Sequence, residues 1–576
     1  MDDEVPKATA ISAADRPWVA AYPQGVPARL DAQPYPLLGD LARDLGARKP
    51  AGKAFTTIMP NGMSASLTFA QVDRYSDAFA AFLRETLCLA PGERVALQIP
   101  NGLAYPVAAF GTFKAGGVLV NINPLYKAHE MAHVFADAEP SLIVAIDMFA
   151  DKLGLALKKA PIPHAVLTEA ASLFPMASRR LIGFVQKYVK REVPRPQFRY
   201  TAFAKALALG EAHIDAGADV RSYTKGLDSS AIACLQYTGG TTGVSKGAML
   251  THRNLIMNVA QFVAFRGSDL KESDQVLTAL PLYHIFAFTV NMLGFFMRGA
   301  HGILIPSPRP LTNLRKAFEK EGITFVTGVN TLFNGLLNEP WFRENPPKSL
   351  RVSVAGGMAL QDSVAKRWQE VTGTLVAEGY GLTEASPVLT MNPTGREKLG
   401  SIGVPLSSTE MKCVDEQGNE AAVGEPGEII ARGPQVMPGY WRQPGETQLA
   451  LRDGWLYTGD IGKMDAEGFF SIVDRRKDMI LVSGFNVYPN EVEAVLSGLA
   501  GVKECAVIGV PDSATGEVVK AFIVSGDPAL EARDVRDFCK RELAAYKVPR
   551  LVEFREELPK SNIGKILRKE LRAPPK

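Results

Sequence analysis

The stretch Tyr237-Thr238-Gly239-Gly240-Thr241-Thr242-Gly243-Val244-Ser245-Lys246-Gly247 is the most informative part of the chain. It follows the apolar run 231–235, which is typical of a buried strand. Glycines let backbone N–H groups turn toward one point, and a nest of such groups binds anions. Threonine hydroxyls add hydrogen-bond donors, and Lys246 adds a mobile positive charge. The pattern predicts a phosphate-binding loop at the end of a strand.

Two better-known motifs fit this stretch only in part. A Walker A loop needs Gly-Lys-Ser/Thr, whereas Lys246 stands between a serine and a glycine. The spacing G-x-S-x-G around Ser245 matches the nucleophile elbow of serine hydrolases, which needs a strand that leads directly into a helix. Several loop residues separate the strand from Ser245, so the elbow is disfavoured. A serine esterase or thioesterase stays open as an alternative.

Length and composition restrict the class of protein. A chain of 576 residues exceeds one ordinary core, so we expect two or more domains. The charged fraction of 22% and the net charge of +3 are normal for a globular protein and give no reason to expect a nucleic-acid partner. Five scattered cysteines form no Cys-x-x-Cys pair, which argues against a disulfide framework or a zinc site and suits a reducing cytoplasm.

No targeting or membrane-spanning segment is predicted. The acidic start of the chain lacks an apolar core, so we expect no signal peptide. The longest apolar stretch, 286–305, is interrupted by Asn291, Arg298 and His301. A spanning helix needs roughly 20 mostly apolar residues, so this stretch is interpreted as protein core.

The order of apolar and polar runs predicts an α/β fold. Between about 68 and 305, and again near 324 and 350, short strand-like runs alternate with longer helical segments. This is the βαβ rhythm of a doubly wound parallel sheet. From about 400 to 473 short β-prone runs are separated by Gly and Pro, which predicts a small antiparallel or barrel-like β subdomain.

The charged run Asp474–Asp478 precedes a new α/β pattern, so we place a domain boundary there. The expected organisation is a large N-terminal domain, 1–474, with the β-rich subdomain at 400–473, and a small mobile α+β C-terminal domain, 475–576.

Seven motifs in order resemble the adenylate-forming superfamily of acyl-CoA synthetases, luciferases and peptide-synthetase adenylation domains. The resemblance covers nearly the whole chain, and within the superfamily it is strongest to bacterial long-chain fatty-acid–CoA ligases. The motifs are Tyr237–Gly247, Ala355–Met358, Glu378–Glu384, Tyr457–Asp460, Asp474–Asp478, Ser483–Glu493 and Lys560–Lys565.

The resemblance implies a two-step reaction that uses ATP, Mg²⁺ and coenzyme A. A fatty carboxylate attacks the α-phosphate of ATP to give acyl-AMP and pyrophosphate, and the thiol of coenzyme A then displaces AMP. It also implies a set of catalytic and nucleotide-binding residues. The implied catalytic residues are Lys565, Glu384, Thr241 and Lys246, and Glu384 and Thr238 are the implied metal ligands. The implied nucleotide contacts are Thr238, Gly239, Gly240, Thr241, Thr242, Gly243, Lys246, Gly356, Gly357, Glu378, Gly379, Tyr380, Gly381, Thr383, Asp460 and Arg475.

The remaining implied roles concern domain motion and the two other substrates. Lys565 would enter the site for adenylation, because Gly564 allows a tight loop, and Lys477 would be the hinge. The implied coenzyme A contacts are Ser483, Gly484, Phe485 and Asn486. The expected acyl pocket is His284, Ile285, Phe286, Phe288, Val290, Val329 and Phe333, although an apolar stripe is also typical of ordinary core.

The sequence says less about membrane contact, oligomeric state and cellular location than about the fold. The segment 173–199 combines seven basic residues with apolar ones, which suits contact with an anionic bilayer and equally a solvated helix. We therefore expect a cytoplasmic protein, with contact to the inner face of the membrane and a homodimer both left open. Two further functions stay open as well: a fatty acyl-AMP ligase that serves a carrier protein, and an inactive binding protein.

Overall fold

The computed structural model describes residues 16–238, 245–475, 477–483, 485–512, 515–561 and 564–572. The strands of the large N-terminal region are β1 (Lys53–Ile58), β2 (Ser64–Thr68), β3 (Arg94–Gln98), β4 (Val118–Asn121), β5 (Leu142–Ile146), β6 (His164–Thr168), β7 (Thr201–Ala202), β8 (Ile232–Thr238), β9 (Lys246–Thr251), β10 (Gln275–Thr278), β11 (His301–Leu304), β12 (Phe325–Gly328), β13 (Val352–Ala355), β14 (Val376–Gly381), β15 (Val388–Met391), β16 (Val404–Pro405), β17 (Glu410–Val414), β18 (Gly427–Arg432), β19 (Gly439–Tyr440), β20 (Leu451–Arg452), β21 (Trp455–Met464) and β22 (Phe470–Arg475).

The helices of the same region connect these strands. They are α1 (Leu38–Arg48), α2 (Phe69–Ala81), α3 (Ala104–Lys114), α4 (Ala128–Ala138), α5 (Ala150–Lys159), α6 (Met176–Phe184), α7 (Phe203–Asp215), α8 (His252–Arg266), α9 (Phe295–Met297), α10 (Thr312–Lys320), α11 (Asn330–Asn338), α12 (Pro340–Glu344), α13 (Asp362–Thr372) and α14 (Pro444–Ala450).

Two large sheets form the body of the protein. One has the strand order β19-β9-β8-β4-β3-β5-β6-β7 and the other β16-β15-β14-β13-β12-β10-β11-β1-β2. The central pairings are parallel, as in β3–β4 and β12–β13, and antiparallel strands are added at the edges. Helix α3 is buried along its whole length and packs in the core that both sheets share. The doubly wound α/β fold expected from the sequence is confirmed.

Local sequence signals explain where the helices begin. Thr68 caps α2 by accepting a hydrogen bond from the backbone N–H of Gln71, whose side chain in turn accepts one from the Thr68 N–H. Thr251 and Asn254 make the same reciprocal pair at the start of α8. Such capping boxes satisfy backbone donors that a helix start leaves unpaired.

The apolar stretch 286–305 lies in the core, as predicted. Its π-helical turn Ala287–Gly294 is buried, and Phe295 and Phe296 pack against other rings of the core. Among the described residues, none of the helices has both the length and the apolar composition needed to cross a membrane.

The β-rich subdomain is an antiparallel five-stranded sheet, β17-β18-β21-β20, in which β22 also pairs with β21. An N-terminal segment is attached to this side of the molecule. The ring of Trp18 contacts that of Phe470, with centroids 6.2 Å apart, and the Tyr22 hydroxyl donates a 2.6 Å hydrogen bond to the Pro405 carbonyl. Arg16 forms an ion pair with Glu410.

The C-terminal region forms a separate small sheet with the order β24-β23-β26-β25, and a further strand, β27, pairs with β26. Strand β22 continues through Arg475 in the large region, and the next strand begins at Ile480. The domain limits 1–474 and 475–576 stay a prediction. The C-terminal elements are β23 (Ile480–Val482), β24 (Phe485–Val487), α15 (Pro489–Ser497), β25 (Val502–Asp512), β26 (Gly516–Ser525), α16 (Ala532–Glu542), β27 (Leu551–Phe554) and α17 (Arg568–Arg572).

Candidate active site

A cleft of about 2630 Å³ lies where the two large sheets, the β-rich sheet and the C-terminal region meet. The carboxyl ends of parallel strands β4, β8 and β13 open into it, which is where α/β sheets place ligands. All the described residues that the sequence assigns to nucleotide binding, metal binding or catalysis line this cleft, and so does the expected hinge residue Lys477. They are Thr238, Lys246, Gly356, Gly357, Glu378, Gly379, Tyr380, Gly381, Thr383, Glu384, Asp460, Arg475 and Lys565. Gly239, Gly240, Thr241, Thr242 and Gly243 lie outside the described residues.

Asp460 is the centre of a hydrogen-bonded group on one wall. The Tyr380 hydroxyl donates to its Oδ2 at 2.6 Å, and Arg475 Nε lies 3.2 Å from its Oδ1. Asp460 and Arg475 face each other on the paired strands β21 and β22. Burial and the neighbouring carboxylate raise the pKa of Tyr380 well above its usual value, so its hydroxyl remains a donor. This wall presents one oriented carboxylate, one guanidinium and one aromatic ring.

Glycines make room where the backbone borders the cleft. A Cβ on Gly356 would lie 3.2 Å from the ring of Phe286, and one on Gly381 would lie 2.0 Å from the Pro387 carbonyl oxygen. Gly357 has a φ of +77°, which favours glycine. Side chains at these positions would displace the neighbouring strand or ring.

Glu378 is a buried carboxylate of the site that accepts a hydrogen bond from a backbone N–H. Its Oε1 accepts a hydrogen bond from the Leu360 N–H at 3.1 Å. Burial, partly offset by this bond, raises the pKa of Glu378 to about 8, so its carboxyl group is mostly protonated at neutral pH.

Glu384 is oriented by a residue that the sequence did not suggest. The Tyr440 hydroxyl donates a 2.7 Å hydrogen bond to Glu384 Oε1, and the Glu384 carbonyl accepts one from the Met437 N–H at 2.8 Å. Burial and the adjacent carboxylate raise the pKa of Tyr440, so it acts as a donor.

Lys246 lies next to this pair and forms an ion pair with Glu446. Its Nζ is 5.4 Å from the centre of the Tyr440 ring. The pairing of β19 with β9, Tyr440 opposite Ala248, brings the two chain segments together. Tyr440 and Glu446 lie about 200 residues from Lys246 in sequence, and only the fold reveals their proximity.

Lys565 reaches the cleft from the C-terminal region. Gly564, with a φ of +84°, precedes it, and the Gly564 carbonyl accepts a hydrogen bond from Thr331 Oγ1 at 3.1 Å. Burial and the charge of Arg475 lower the pKa of Lys565 to about 7, although Asp460 opposes the shift. His284 is close enough that the lysine adds to the effect of burial and lowers the pKa of His284 to about 4.

Comparisons with known proteins agree with this arrangement. Residues 44–441 match the family model described as "AMP-binding enzyme", and residues 491–565 match "AMP-binding enzyme C-terminal domain". The chain belongs to the AMP-binding enzyme family.

Individual relatives span nearly the whole chain. A long-chain-fatty-acid–CoA ligase of Escherichia coli O157:H7 is 47% identical, over 96% of this chain and 97% of that protein. A long-chain-fatty-acid–CoA ligase of Bacillus subtilis (strain 168) is 38% identical, over 96% of this chain and 97% of that protein. The crystal structure of an anthranilate–CoA ligase in complex with anthranoyl-AMP has a TM-score of 0.81 and 26% identity, and covers 94% of this chain and 98% of that chain.

This AMP-binding enzyme has no nucleophile elbow at Ser245, so the serine hydrolase interpretation is wrong. Ser245 lies between two antiparallel strands, β8 and β9, rather than between a strand and a helix. Its hydroxyl donates to the Thr238 carbonyl at 2.8 Å. His133 contacts the backbone carbonyl of Ser245, at 3.2 Å, and not its hydroxyl.

The expected acyl pocket divides into two groups. His284, Ile285 and Phe286 line the cleft. Phe288, Val290, Val329 and Phe333 are buried in the hydrophobic core and are not among the cleft-lining residues. Phe333, for example, packs edge-on against Trp368 with centroids 4.7 Å apart. An apolar run alone does not distinguish a pocket wall from core.

The described residues expected to contact coenzyme A, Ser483, Phe485 and Asn486, are not among those that line the cleft. Phe485 is 58% exposed and stacks on Tyr546, with ring centroids 4.9 Å apart. Ser483 has a φ of +51°, and both Ser483 and Asn486 are exposed. Gly484 is outside the described residues. With Lys565 in the cleft, this arrangement presents the lysine expected to act in adenylation and not the residues expected to contact coenzyme A.

Proposed function

We propose that the protein activates a long-chain fatty acid with ATP to acyl-AMP, and then transfers the acyl group to coenzyme A to give fatty acyl-CoA, AMP and pyrophosphate. The observation that carries this proposal is the position of Lys565, in one cleft with Tyr380, Asp460 and Glu384. Full-length similarity to enzymes named long-chain-fatty-acid–CoA ligase supports the substrate class and the acceptor.

The first wall of the cleft suits a nucleotide. Asp460 can accept hydrogen bonds from both ribose hydroxyls, because a carboxylate has lone pairs beyond those that Tyr380 and Arg475 use. The face of Tyr380 offers a stacking surface for adenine. Gly356 and Gly357 let the backbone approach the nucleotide.

In the first step an oxygen of the fatty carboxylate forms a bond to the α-phosphorus, and the bond to the bridging oxygen of the β-phosphate breaks. Pyrophosphate leaves with the electron pair, and no proton is transferred. Catalysis therefore depends on positioning and on neutralising negative charge. Lys565 would bridge the carboxylate and phosphate oxygens, and Lys246 would contact the leaving phosphates.

The donor set around Glu384 fits Mg²⁺. Among the described residues no group of three or more acidic, His or Cys side chains could hold a metal by itself. Mg²⁺ commonly uses one or two carboxylates together with substrate phosphates. Glu384, oriented by Tyr440, would supply the carboxylate and Thr238 a hydroxyl oxygen. The ion would neutralise charge on the leaving pyrophosphate.

In the second step the coenzyme A thiol loses its proton to solvent and its sulfur forms a bond to the acyl carbon. The bond between the acyl carbon and the phosphate oxygen breaks, and AMP leaves with that electron pair. We assign no proton transfer to His284, whose low pKa keeps it neutral. The exposed residues Ser483, Phe485 and Asn486 would move to the cleft by rotation about Lys477, and the same rotation would withdraw Lys565.

An assay of AMP and thioester tests the proposal. The purified protein is incubated with palmitate, Mg-ATP and coenzyme A. AMP and acyl-CoA in equal amounts are expected. AMP formation without thioester would instead indicate a ligase that delivers to a carrier protein, and no AMP would indicate an inactive binder.

The variant Glu384→Ala tests the metal site within the same assay. We expect a loss on the order of 10²–10³ in adenylation rate, as for removal of one positioned charge-stabilising group. Binding of Mn²⁺–ATP, followed by electron paramagnetic resonance, should weaken in parallel. Unchanged Mn²⁺ binding would remove Glu384 from the metal site.

We further propose a cytoplasmic enzyme that contacts the inner face of the membrane through the helical segment 176–189. Five large apolar side chains on it are more than half exposed: Met176, Leu181, Phe184, Tyr188 and Val189. Residues 176–200 contain seven basic side chains and one acidic one, so their net charge of +6 exceeds the +3 of the whole chain. Exposed apolar groups beside cations suit an anionic bilayer surface.

Sedimentation with vesicles tests this contact. The protein should co-sediment with phosphatidylglycerol vesicles at low salt. The variant Phe184→Glu should bind the vesicles less, while its activity towards a fatty acid solubilised in detergent should not change. Leu155→Glu, at an exposed apolar residue elsewhere, is the matched control. If Phe184→Glu disrupts a homodimer and leaves lipid binding unchanged, the segment serves self-association and not membrane contact.

A further inference from the structure

Arg568 is the centre of a charged network beside the predicted hinge. It is the first residue of α17, and its guanidinium is only partly exposed. Nε and Nη2 contact both oxygens of Glu493 at 3.1 and 2.8 Å. Nη1 lies 3.4 Å from Asp474 Oδ1 and 3.5 Å from Asp478 Oδ2. Three carboxylates thus share one guanidinium.

The two aspartates lie on opposite sides of Lys477. Asp474 is on β22 and faces Ile461 of β21 in the large region. Its side chain is fully buried, and its Oδ2 also accepts a hydrogen bond from the Asn490 N–H at 2.8 Å. Asp478 lies beyond Lys477 and also contacts Arg572 at 3.1 Å.

We propose that Asp474 and Arg568 are a pair of positioning residues that holds the Lys565 loop in the cleft during adenylation and separates for thioester formation. This inference rests on the proposed function, in particular on rotation about Lys477. Arg568 follows Lys565 by three residues, so its contact with Asp474 ties the lysine loop to the large domain. Rotation about residue 477 carries Arg568, Glu493 and Asp478 together and leaves Asp474 behind.

The separation would leave Arg568 compensated but would cost Asp474 its cationic partner. A buried ion that loses its partner is strongly destabilising. After rotation Arg568 would keep Glu493 and Asp478, so its charge would remain compensated. Asp474 would lose both Arg568 and the Asn490 N–H. The contact therefore favours the orientation with Lys565 in the cleft without making it permanent.

The neighbouring contacts between the two regions are of a different kind. Thr331 donates to the Gly564 carbonyl at 3.1 Å, and Asn334 Nδ2 donates to the Lys503 carbonyl at 3.2 Å. Both are neutral hydrogen bonds to backbone oxygens. Hydrogen bonds to charged groups contribute more than neutral ones, so the pair of Asp474 and Arg568 should have the larger influence on the orientation.

The test compares Asp474→Asn with Asp478→Asn, because both aspartates contact Arg568 at nearly the same distance on either side of the hinge. Adenylation is measured as pyrophosphate release, and thioester formation from supplied acyl-AMP and coenzyme A. We expect Asp474→Asn to slow adenylation about tenfold, as for loss of one charged hydrogen bond, and to leave thioester formation equal or faster. Asp478→Asn should keep the wild-type ratio of the two rates.

A second measurement reports the orientation directly. Spin labels at Lys348→Cys and Lys540→Cys, with Cys88→Ser to remove the exposed native thiol, give the distance between the two regions. Asp474→Asn should shift the population away from the orientation with Lys565 in the cleft. If Asp474→Asn fails to fold, Arg568→Lys provides a second comparison with Asp478→Asn, because lysine keeps the charge but its single ammonium cannot contact Glu493 and Asp474 together.

The inference would be overturned if Asp474→Asn and Asp478→Asn each slowed both half-reactions equally. It would also be overturned if neither variant changed the ratio of the adenylation rate to the thioester-formation rate. A wild-type protein that makes no acyl-AMP would instead reject the proposed function. The two failures are therefore distinguishable.

Discussion

Two lysines, both predicted to contact phosphate oxygens, occupy opposite electrostatic environments. Lys246, on β9 of the large region, is paired with Glu446. Lys565, on the C-terminal loop, has no carboxylate within ion-pair distance among the described residues, and its pKa is lowered to about 7. Lys565 therefore gains full charge when substrate oxyanions surround it, whereas Lys246 must exchange the Glu446 carboxylate for phosphate oxygens. When substrate binds, Lys246 would exchange its counter-ion and Lys565 would take up a proton.

The strongest test of this contrast is Lys565→Ala. We expect adenylation to fall by about 10²-fold or more, on the order of the loss of a positioned charge in a catalytic site. Thioester formation from supplied acyl-AMP should remain near wild type, because that step needs Lys565 withdrawn. If thioester formation falls as far as adenylation, the assignment of Lys565 to one half-reaction is wrong.

A change at the hinge should produce the converse pattern. Lys477→Pro fixes φ at roughly −65° and removes a backbone donor, so the hinge loses its second conformation. Adenylation should survive and thioester formation should fall strongly, about 10²-fold, in separate half-reaction assays. Lys477→Ala, which keeps backbone freedom, is the control. Equal loss of both steps in the proline variant would indicate a folding defect or a misplaced hinge.

The lowered pKa of Lys565 predicts a pH dependence. Its protonated form is the one that binds oxyanions, so kcat/KM for ATP in adenylation should be highest below pH 7 and decline as pH rises through about 7. The decline approaches tenfold per unit of pH. Lys565→Arg, which cannot lose its proton in this range, should remove the decline. A profile that is flat from pH 6 to 8 in the wild type would contradict the prediction.

The smallest expected effect is at Glu446. Glu446→Gln removes the negative partner of Lys246, so ATP and pyrophosphate should bind a few-fold more tightly, a change of under about 1 kcal/mol as for a partly exposed pair. The affinity for AMP, which lacks the terminal phosphates, should not change. Calorimetry of the three ligands measures this, with Glu370→Gln on α13 as control. Equal tightening for AMP would mean that Glu446 acts on the whole nucleotide site.

The sequence predicts the fold better than it predicts the site. The βαβ rhythm, the change to short β runs near 400 and the buried stretch 286–305 are local patterns, and each is confirmed. Tyr440 and Glu446 were missed because their partners, Glu384 and Lys246, are brought close only by the pairing of β19 with β9. Phe288 and Phe333 have the same apolar character as Ile285 and Phe286, and hydrophobicity alone does not tell a core residue from one that lines a cleft.

The attachment of the N-terminal segment to strands β16 and β22 has a consequence for biosynthesis. Trp18 and Tyr22 contact Phe470 and Pro405, which the ribosome adds some 380 to 450 residues later. At roughly 5–20 residues per second, Trp18 and Tyr22 wait about 20–90 s for these two partners. During that interval the Trp18 indole remains without its contact with Phe470, whereas the Tyr22 ring can meet Phe265, which is added earlier than Pro405. The first described helical turn, Pro17–Ala21, is thus among the last elements to reach its place.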